Sequence, residues 1–310
     1  MKMVRVQKQI KLFYYIKAFL RYLLPNGGFE RKIKRLEKRL SSDQLKQVSE
    51  RVDYYNKLST SDFSRKHLLK ELQKPKSPKT YYFDTYEYAR FFNQDLKFNF
   101  AFGDVTHIPS LPSIVKSRPI AGQNENSVVF NLDKARHFVW VKNDQDFHTK
   151  ENRLIGRCAI YQEHRKKFFE KYFNHPLCDL GQVNQGDFGN PKWLKPKIKL
   201  QDHLKYKFIL SLEGNDVATN LKWIMSSNSI AVMPKPKYET WFMEGKLVAG
   251  KHYIEIKDDY SNLEEQINYY IAHPEECLTI IKHANRFCEQ FLNKEVEDLC
   301  SLLVLKKYLF

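Results

Sequence analysis

"KYKFILSLEGNDVATNLKWIMSSNSIAVM", residues 205–233, decides the fold. KYKFILSL is a short apolar run bounded by turn residues, the pattern of a strand covered on both faces, and SIAVM at the far end is a second. Between them Glu213, Gly214, Asn215 and Asp216 break the first strand. The residues that follow predict a helix from about Val217, capped by Asn215 or Asp216, with Val217, Leu221, Ile224 and Met225 as a buried stripe at i, i+4, i+7 and i+8. Strand, helix and strand in succession imply a parallel sheet with helices on its faces. Ligands of such sheets sit beyond the carboxyl ends of the strands, where the first N–H groups of a helix have no intrahelical partner and carry partial positive charge. Gly214 would let the backbone approach a ligand closely. The stretch is neither G-x-G-x-x-G nor a Walker loop, so its spacing alone favours an ordinary capped turn with nothing bound.

The same alternation extends in both directions. Downstream, HYIEI at 252–256 reads as a strand, followed by two closing helices, the first with a capping box of Ser261 and Glu264 and the second starting at Pro274. Upstream, from YYFDTYEYARFF at 81–92 onward, short aromatic or β-branched runs (FNFAF, SVVF, HFVWV) alternate with polar turns before the helical stretch YQEHRKKFFEKYF at 161–173. The Lys/Pro-rich NPKWLKPKIKL at 190–200 separates the two series. Near the start, Phe29, Ile33, Leu36 and Leu40, then Leu45, Val48, Val52 and Tyr55, recur at helical spacing around an interruption at Ser41, Ser42 and Asp43, which predicts a helical hairpin. KPKSPKT at 74–80 reads as a linker. The expected organisation is a basic helical N-terminal segment over 1–78 and two α/β domains, 79–200 and 201–310, facing a cleft.

With 310 residues, 42% of them apolar, the chain suits globular domains rather than a disordered or fibrous protein, and its net charge of +16 is unevenly spread. Residues 1–80 hold 21 Lys/Arg against 7 Asp/Glu, whereas 81–310 hold 31 against 29. Within the basic segment, IKLFYYIKAFLRYLLP at 10–25 is interrupted by Lys11, Lys17 and Arg21, too often for a transmembrane span of roughly 20 apolar residues. It fits a helix lying at an anionic membrane surface, or a basic helix packed on the protein body. Nucleic acid is disfavoured as a partner because the larger part of the chain is nearly neutral. Cys158, Cys178, Cys277, Cys288 and Cys300 show no C-x-x-C spacing, and nothing has the form of a cleavable signal peptide. Reduced thiols in a cytosolic protein are expected, with neither a disulfide framework nor a zinc site.

Through EGNDVATNLKWIMSSNSIAVMPKPKYETWFMEGKL at 213–247 and HYIEIKDDYSNLEEQINYYIAHP at 252–274, the sequence resembles family 90 glycosyltransferases. These are the group of lipopolysaccharide A proteins, capsule-associated proteins and protein O-glucosyltransferases, and the likeness is strongest to the bacterial lipopolysaccharide members. A weaker likeness runs through KFNFAFGDVTHIP, VVFNLDKARHF and GRCAIYQEHRKKFF, and the first 75 residues show none. The resemblance implies a GT-B fold of two Rossmann-like domains, a nucleotide sugar (a UDP-hexose) held by the C-terminal domain, and transfer with inversion.

It further implies that Asp104, at the end of a strand and before a Pro-containing loop, is the catalytic base, with His107 as the local competitor. Direct inversion needs one base to take the acceptor hydroxyl proton and no carboxylate nucleophile. Without the resemblance Asp104 reads as closing a turn. The leaving diphosphate would be met without a metal by the segment Glu213, Gly214, Asn215, Asp216, Val217 and Ala218 together with cations. At both places where the family carries an Arg this sequence departs: it reads Gly156-Arg157, with Arg165 further on, and the expected helix Arg is Asn220, leaving Lys222 nearest. Arg157, Arg165 and Lys222 are the candidate cations, each also readable as a solvated surface charge. Tyr238, Glu239 and Glu244, around TWFM, are candidate sugar or ribose contacts, with the Trp and Phe there read as core.

Two motifs carry no weight. The D-x-D of Asp144 to Asp146 lies in a charged loop, and the DFG within GDFGN at 186–190 lacks the H-R-D and Gly-rich loops of a kinase. The resulting expectation is an inverting hexosyltransferase, with a nucleotide sugar as co-substrate and no metal or other cofactor. It would extend the lipid-linked core oligosaccharide of a bacterial lipopolysaccharide or lipooligosaccharide at the cytoplasmic face of the inner membrane. Asn220 keeps a second reading open, a non-catalytic protein of the same fold that tethers an envelope assembly complex to the membrane. A nucleic-acid module, the third, would bind with steep salt dependence even without residues 1–75.

Overall fold

The computed structural model describes residues 4–77, 79–186 and 188–310, so Pro78 at the expected linker and Asp187 of the DFG triplet lie outside the described residues. The helices are α1 (Lys11–Arg21), α2 (Phe29–Glu37), α3 (Ser42–Tyr55), α4 (Lys79–Ala89), α5 (Lys134–His137), α6 (Glu163–Tyr172), α7 (Leu200–His203), α8 (Leu221–Met225), α9 (Leu263–Ala272), α10 (Pro274–Glu289) and α11 (Lys294–Leu309). The strands are β1 (Arg5–Gln7), β2 (His67–Leu68), β3 (Lys97–Phe98), β4 (Phe100–Ala101), β5 (Ser113–Val115), β6 (Ser117–Pro119), β7 (Ser127–Val129), β8 (Trp140–Lys142), β9 (Glu151–Cys158), β10 (Cys178–Gln182), β11 (Tyr206–Leu210), β12 (Ile230–Met233), β13 (Tyr238–Thr240) and β14 (Ile254–Glu255). They form two compact units. The first comprises residues 4–8, 138–236 and 246–288, and the second 9–137, 237–245 and 289–310. Divisions at 78/79 and 200/201 therefore fall inside these units rather than between them.

The first unit is built on five parallel strands in the order β10-β9-β11-β12-β14. Counted within the sheet this is 2-1-3-4-5, a doubly wound order. KYKFILSL and SIAVM supply β11 and β12, with Phe208 opposite Ile230 and Leu210 opposite Val232. Both strands are buried on both faces, which is why their sequences are continuously apolar. Leu154, Phe208, Val232 and Ile254 pack against Phe168 and Phe169 of α6, Ile267 of α9 and Ile280 of α10. Gly156 has a packing reason: a Cβ there would lie 2.9 Å from Leu180 and 3.0 Å from Leu210.

Two local expectations are corrected in this unit. The helix expected from Val217 begins at Leu221 and has five residues, so 214–218 are loop. Asn and Asp side chains compete with helical hydrogen bonds, and Asn220 bonds back to the end of β11. The stripe is nonetheless buried, from Val217 at 5% exposure to Ile224 at 0%. Likewise α9 starts after Asn262, whose side chain accepts from Lys257 N at 2.8 Å, and the capping box expected at Ser261 does not form.

The second unit holds a three-stranded parallel sheet, β4-β5-β7, and the antiparallel pairs β2-β3 and β6-β13. The predicted hairpin is α2 and α3, with Ser41 and Gln44 forming a capping box. Both helices pack on α11, a third closing helix beyond the two expected. The aromatic run at 81–92 is mostly helix α4, not the opening of a strand series, and Tyr81, Tyr82, Phe83, Tyr86 and Tyr88 are all buried. Aromatic residues favour strands, but burial on every side of a helix is an equally good use of them.

Candidate functional site

In the second unit three parallel strand ends deliver polar side chains to one cluster. Beyond β4, Gly103 takes φ +130°, which a residue with a side chain rarely adopts, and turns the chain into Asp104. Lys116 follows β5 directly, is 2% exposed, and donates from Nζ to Asp104 Oδ1 in a short ion pair. Asp133 follows β7 in the left-handed region at φ 54°, which Asp tolerates better than most residues. Burial raises the pKa of the Asp133 carboxyl, Arg136 and Lys116 lower it, and Asp104 raises it, so these groups share one electrostatic environment. Arg136 lies 3.6 Å and His137 3.9 Å from Asp133 Oδ2. Asp104 is exposed, a carboxylate backed by a buried ammonium. His107, also exposed, lines a separate hollow with His67, Asn99 and Phe100. Sequence reasoning singled out Asp104 but not its neighbours Lys116 and Asp133; the available signal was a charged residue at the carboxyl end of each short apolar run.

In the first unit the strand order reverses between β9 and β11, and doubly wound sheets bind ligands beyond the carboxyl ends of the strands at such a point. The loops leaving these two strands are tied together by Arg165. Its Nε donates to Glu213 O at 2.9 Å, its Nη2 to Leu212 O at 2.8 Å and its Nη1 to Ala159 O at 2.8 Å. His164 Nε2 lies 2.8 Å from Glu213 O, and Gln162 Nε2 donates to Asn215 Oδ1 at 2.8 Å. The loop is folded on itself, Gly214 N donating to Asp216 O at 3.0 Å, with Asp216, Val217 and Ala218 buried. Asn220 stitches the base of the loop, its Nδ2 donating to Leu210 O at 2.9 Å and its Oδ1 accepting from Ser211 Oγ at 3.1 Å. Glu213, Gly214, Asn215, Asp216, Arg165 and Asn220 therefore do come together, as a braced loop rather than a helix N-terminus.

Other sequence candidates lie elsewhere. Arg157 donates to Asp179 Oδ1 at 2.9 Å, alongside Lys195 at 2.8 Å, while Tyr206 donates to Oδ2 at 2.9 Å. Burial would raise the Asp179 pKa, but the hydrogen bonds from Lys195, Tyr206 and Arg157 outweigh it and bring it to about 2. Lys222 is wholly buried on α8. Tyr238 and Glu239 belong to the second unit, where β13 pairs with β6 and Glu239 stands opposite Arg118. Glu239 Oε1 accepts from Arg118 Nε at 2.7 Å and Oε2 from the Tyr54 hydroxyl, a buried structural network. Glu244 closes its own turn by accepting from Thr240 N at 2.6 Å. Trp241 stacks on Tyr55 with ring centroids 3.9 Å apart and is core, as is Phe242. In the D-x-D, Asp144 accepts from Lys150 Nζ at 2.8 Å and Asn228 N at 2.7 Å, and Asp146 caps a short turn through His148 N at 2.8 Å.

Known proteins share this sequence. The sequence model of Glycosyl transferase family 90 matches residues 171–308. O-glucosyltransferase LpsA of Dichelobacter nodosus is 42% identical over 303 residues, 96% of this chain and 95% of that protein. Protein O-glucosyltransferase 3 of Homo sapiens is 26% identical over 164 residues, 51% of this chain and 32% of its own length. Identity at the level of the first relative, sustained over nearly the whole of both chains, establishes common descent, and the chain belongs to glycosyl transferase family 90 and is a glycosyltransferase.

Proposed function

We propose that this enzyme transfers a hexose, glucose by its likeness to O-glucosyltransferase LpsA, from a UDP-sugar to the lipid-linked core oligosaccharide of a bacterial lipopolysaccharide or lipooligosaccharide, with inversion. The full-length likeness to that relative is the observation that carries this reading. The two units are then the halves of a GT-B enzyme, the first receiving the donor and the second supplying the base. Asp104 takes the acceptor hydroxyl proton, and Lys116 orients its carboxylate. The donor diphosphate is received at the reversal between β9 and β11. There Arg165, with three of its five N–H donors on loop carbonyls, has two left to offer and holds the loop in shape. No metal is required for this step, and Asp144 and Asp146 are already engaged in structural bonds. The enzyme works at the cytoplasmic face of the inner membrane, peripherally attached. Among the described residues no helix is long and apolar enough to cross a membrane.

The test is incubation with a panel of nucleotide sugars and truncated lipid-linked core, followed by mass and linkage analysis. One UDP-hexose should be consumed and the product should gain a single hexose of inverted anomeric configuration. Transfer from a non-uridine donor, or retention of configuration, would overturn the assignment.

A further inference from the structure

Helix α1 is mounted with its apolar side outward. Tyr14 and Ala18 face the protein and pack with Phe83, the Tyr14 hydroxyl donates to Asp84 Oδ1 at 2.9 Å, and Arg21 Nη2 donates to Glu87 Oε1 at 2.5 Å. On the opposite side Leu12, Phe13, Ile16 and Leu20, with Leu23 in the turn beyond, are between 44% and 81% exposed, and Phe19, 51% exposed, lies at the edge of this face with its ring centroid 5.2 Å from that of Phe83. At 100° per residue these six span an arc of about 120°, whose centre lies nearly opposite Tyr14. A helix of a globular protein turns such a stripe toward the core, and a contiguous exposed apolar patch marks an interaction surface. Lys11 and Lys17 flank the arc, and Arg31, Lys34, Arg35 and Lys38 of α2 are exposed in the same unit. A second copy of the chain would bring like charges together across this face. A phosphate-rich lipid surface complements them. With 11 residues α1 is about 16 Å long, roughly half the hydrocarbon thickness of a bilayer, so it can lie in the interface but not cross.

We propose that α1 is a membrane-docking helix, lying flat at an anionic bilayer with Leu12, Phe13, Ile16, Phe19, Leu20 and Leu23 in the acyl boundary and Lys11 and Lys17 at the headgroups. This deepens the peripheral attachment given under the proposed function and rests on a lipid-linked acceptor for its purpose. The test is sedimentation of the full chain with phosphatidylcholine vesicles with and without phosphatidylglycerol. Wild type should bind the anionic vesicles at least tenfold more tightly than the neutral ones. The triple change Leu12→Ser, Ile16→Ser, Leu20→Ser alters only exposed side chains and should lower binding to anionic vesicles at least tenfold. The pair Lys11→Gln, Lys17→Gln should narrow the preference for anionic lipid. Undiminished binding of the triple variant would overturn the proposal, and so would a wild-type dimer that the triple change converts to monomer, which would make the face a self-association surface. Sugar transfer to a delipidated acceptor is measured in parallel. It should be unchanged in the triple variant, and its absence from wild type that still binds vesicles would overturn the transfer reading and leave the docking helix standing.

Discussion

Asp104→Asn separates two tasks that the Asp104–Lys116 pair combines. As the proposed base, the carboxylate accepts a proton that an amide of the same shape cannot, so transfer should fall by at least about 100-fold while donor affinity holds. As a counter-charge, it balances an ammonium whose side chain is 2% exposed. Removing one member of a fully buried pair costs about 3–5 kcal/mol. The Asp104 side chain is 28% exposed, so water reaches the site, and about 1–3 kcal/mol is the appropriate range. At about 2–4 °C per kcal/mol, the melting temperature should drop by about 2–12 °C. Adding Lys116→Met removes the buried ammonium that the carboxylate faces. The double variant should recover most of the lost thermal stability and none of the transfer. Calorimetry, steady-state transfer and titration with UDP, run on the same three proteins, give the required readouts. Recovery of transfer in the double variant would refute a chemical role for the carboxylate, and near-normal turnover of Asp104→Asn would pass the base role to His107 or another group.

At Gly214 an added Cβ would lie 3.4 Å from Arg165 Nη2, so Gly214→Val should fold while crowding the strand reversal, raising the donor KM at least tenfold; unchanged donor binding by calorimetry would remove the loop from the site. Arg165→Lys replaces a three-pronged brace with a single ammonium that cannot span the carbonyls of Ala159, Leu212 and Glu213, a loss of about 2 kcal/mol or more and faster amide exchange at 212–216. Equal exchange in both proteins would refute the bracing role. Burial, with Lys251 and His283 nearby, lowers the His252 pKa from 6.5 to about 4. Between those values the unfolded chain binds more protons than the folded one, so stability declines as pH falls from about 6.5 to about 4. His252→Gln should flatten that part of the stability curve, and an identical slope in both proteins would show that another group is responsible.

What the sequence disclosed followed from local period. Buried parallel strands need continuous apolar runs, so β11 and β12 were legible, and a capped amphipathic hairpin announced α2 and α3. Helices α4 and α11 were not, because a helix buried on every side has no polar stripe to set its phase. Glu239 was misplaced for a different reason. It follows the strands of the first unit directly in sequence, yet its partners Arg118 and Tyr54 come from more than a hundred residues earlier, a pairing no local pattern records. Asp104 was proposed as the base only through resemblance, since a single Asp after a strand reads by itself as a turn residue. Its companions Lys116 and Asp133 needed the parallel order β4-β5-β7 to be known before three separate loops could be seen to meet.

The second unit draws on residues 9–137, 237–245 and 289–310, and α11 fills the space among α2, α3 and α4. A ribosome therefore delivers those three helices about 200 residues ahead of the one that covers them. At about 5–20 residues per second the nascent N-terminal half waits some 10–40 s with Arg51, Asn56 and Tyr88 lacking their α11 partners Glu297, Val304 and Asp298, and within that interval the whole first unit emerges and can close its own sheet. Biosynthesis thus runs opposite to the reading order: the middle of the message matures first, and a ribosome stalled after residue 288 would carry a finished first unit tethered to an unfinished second one.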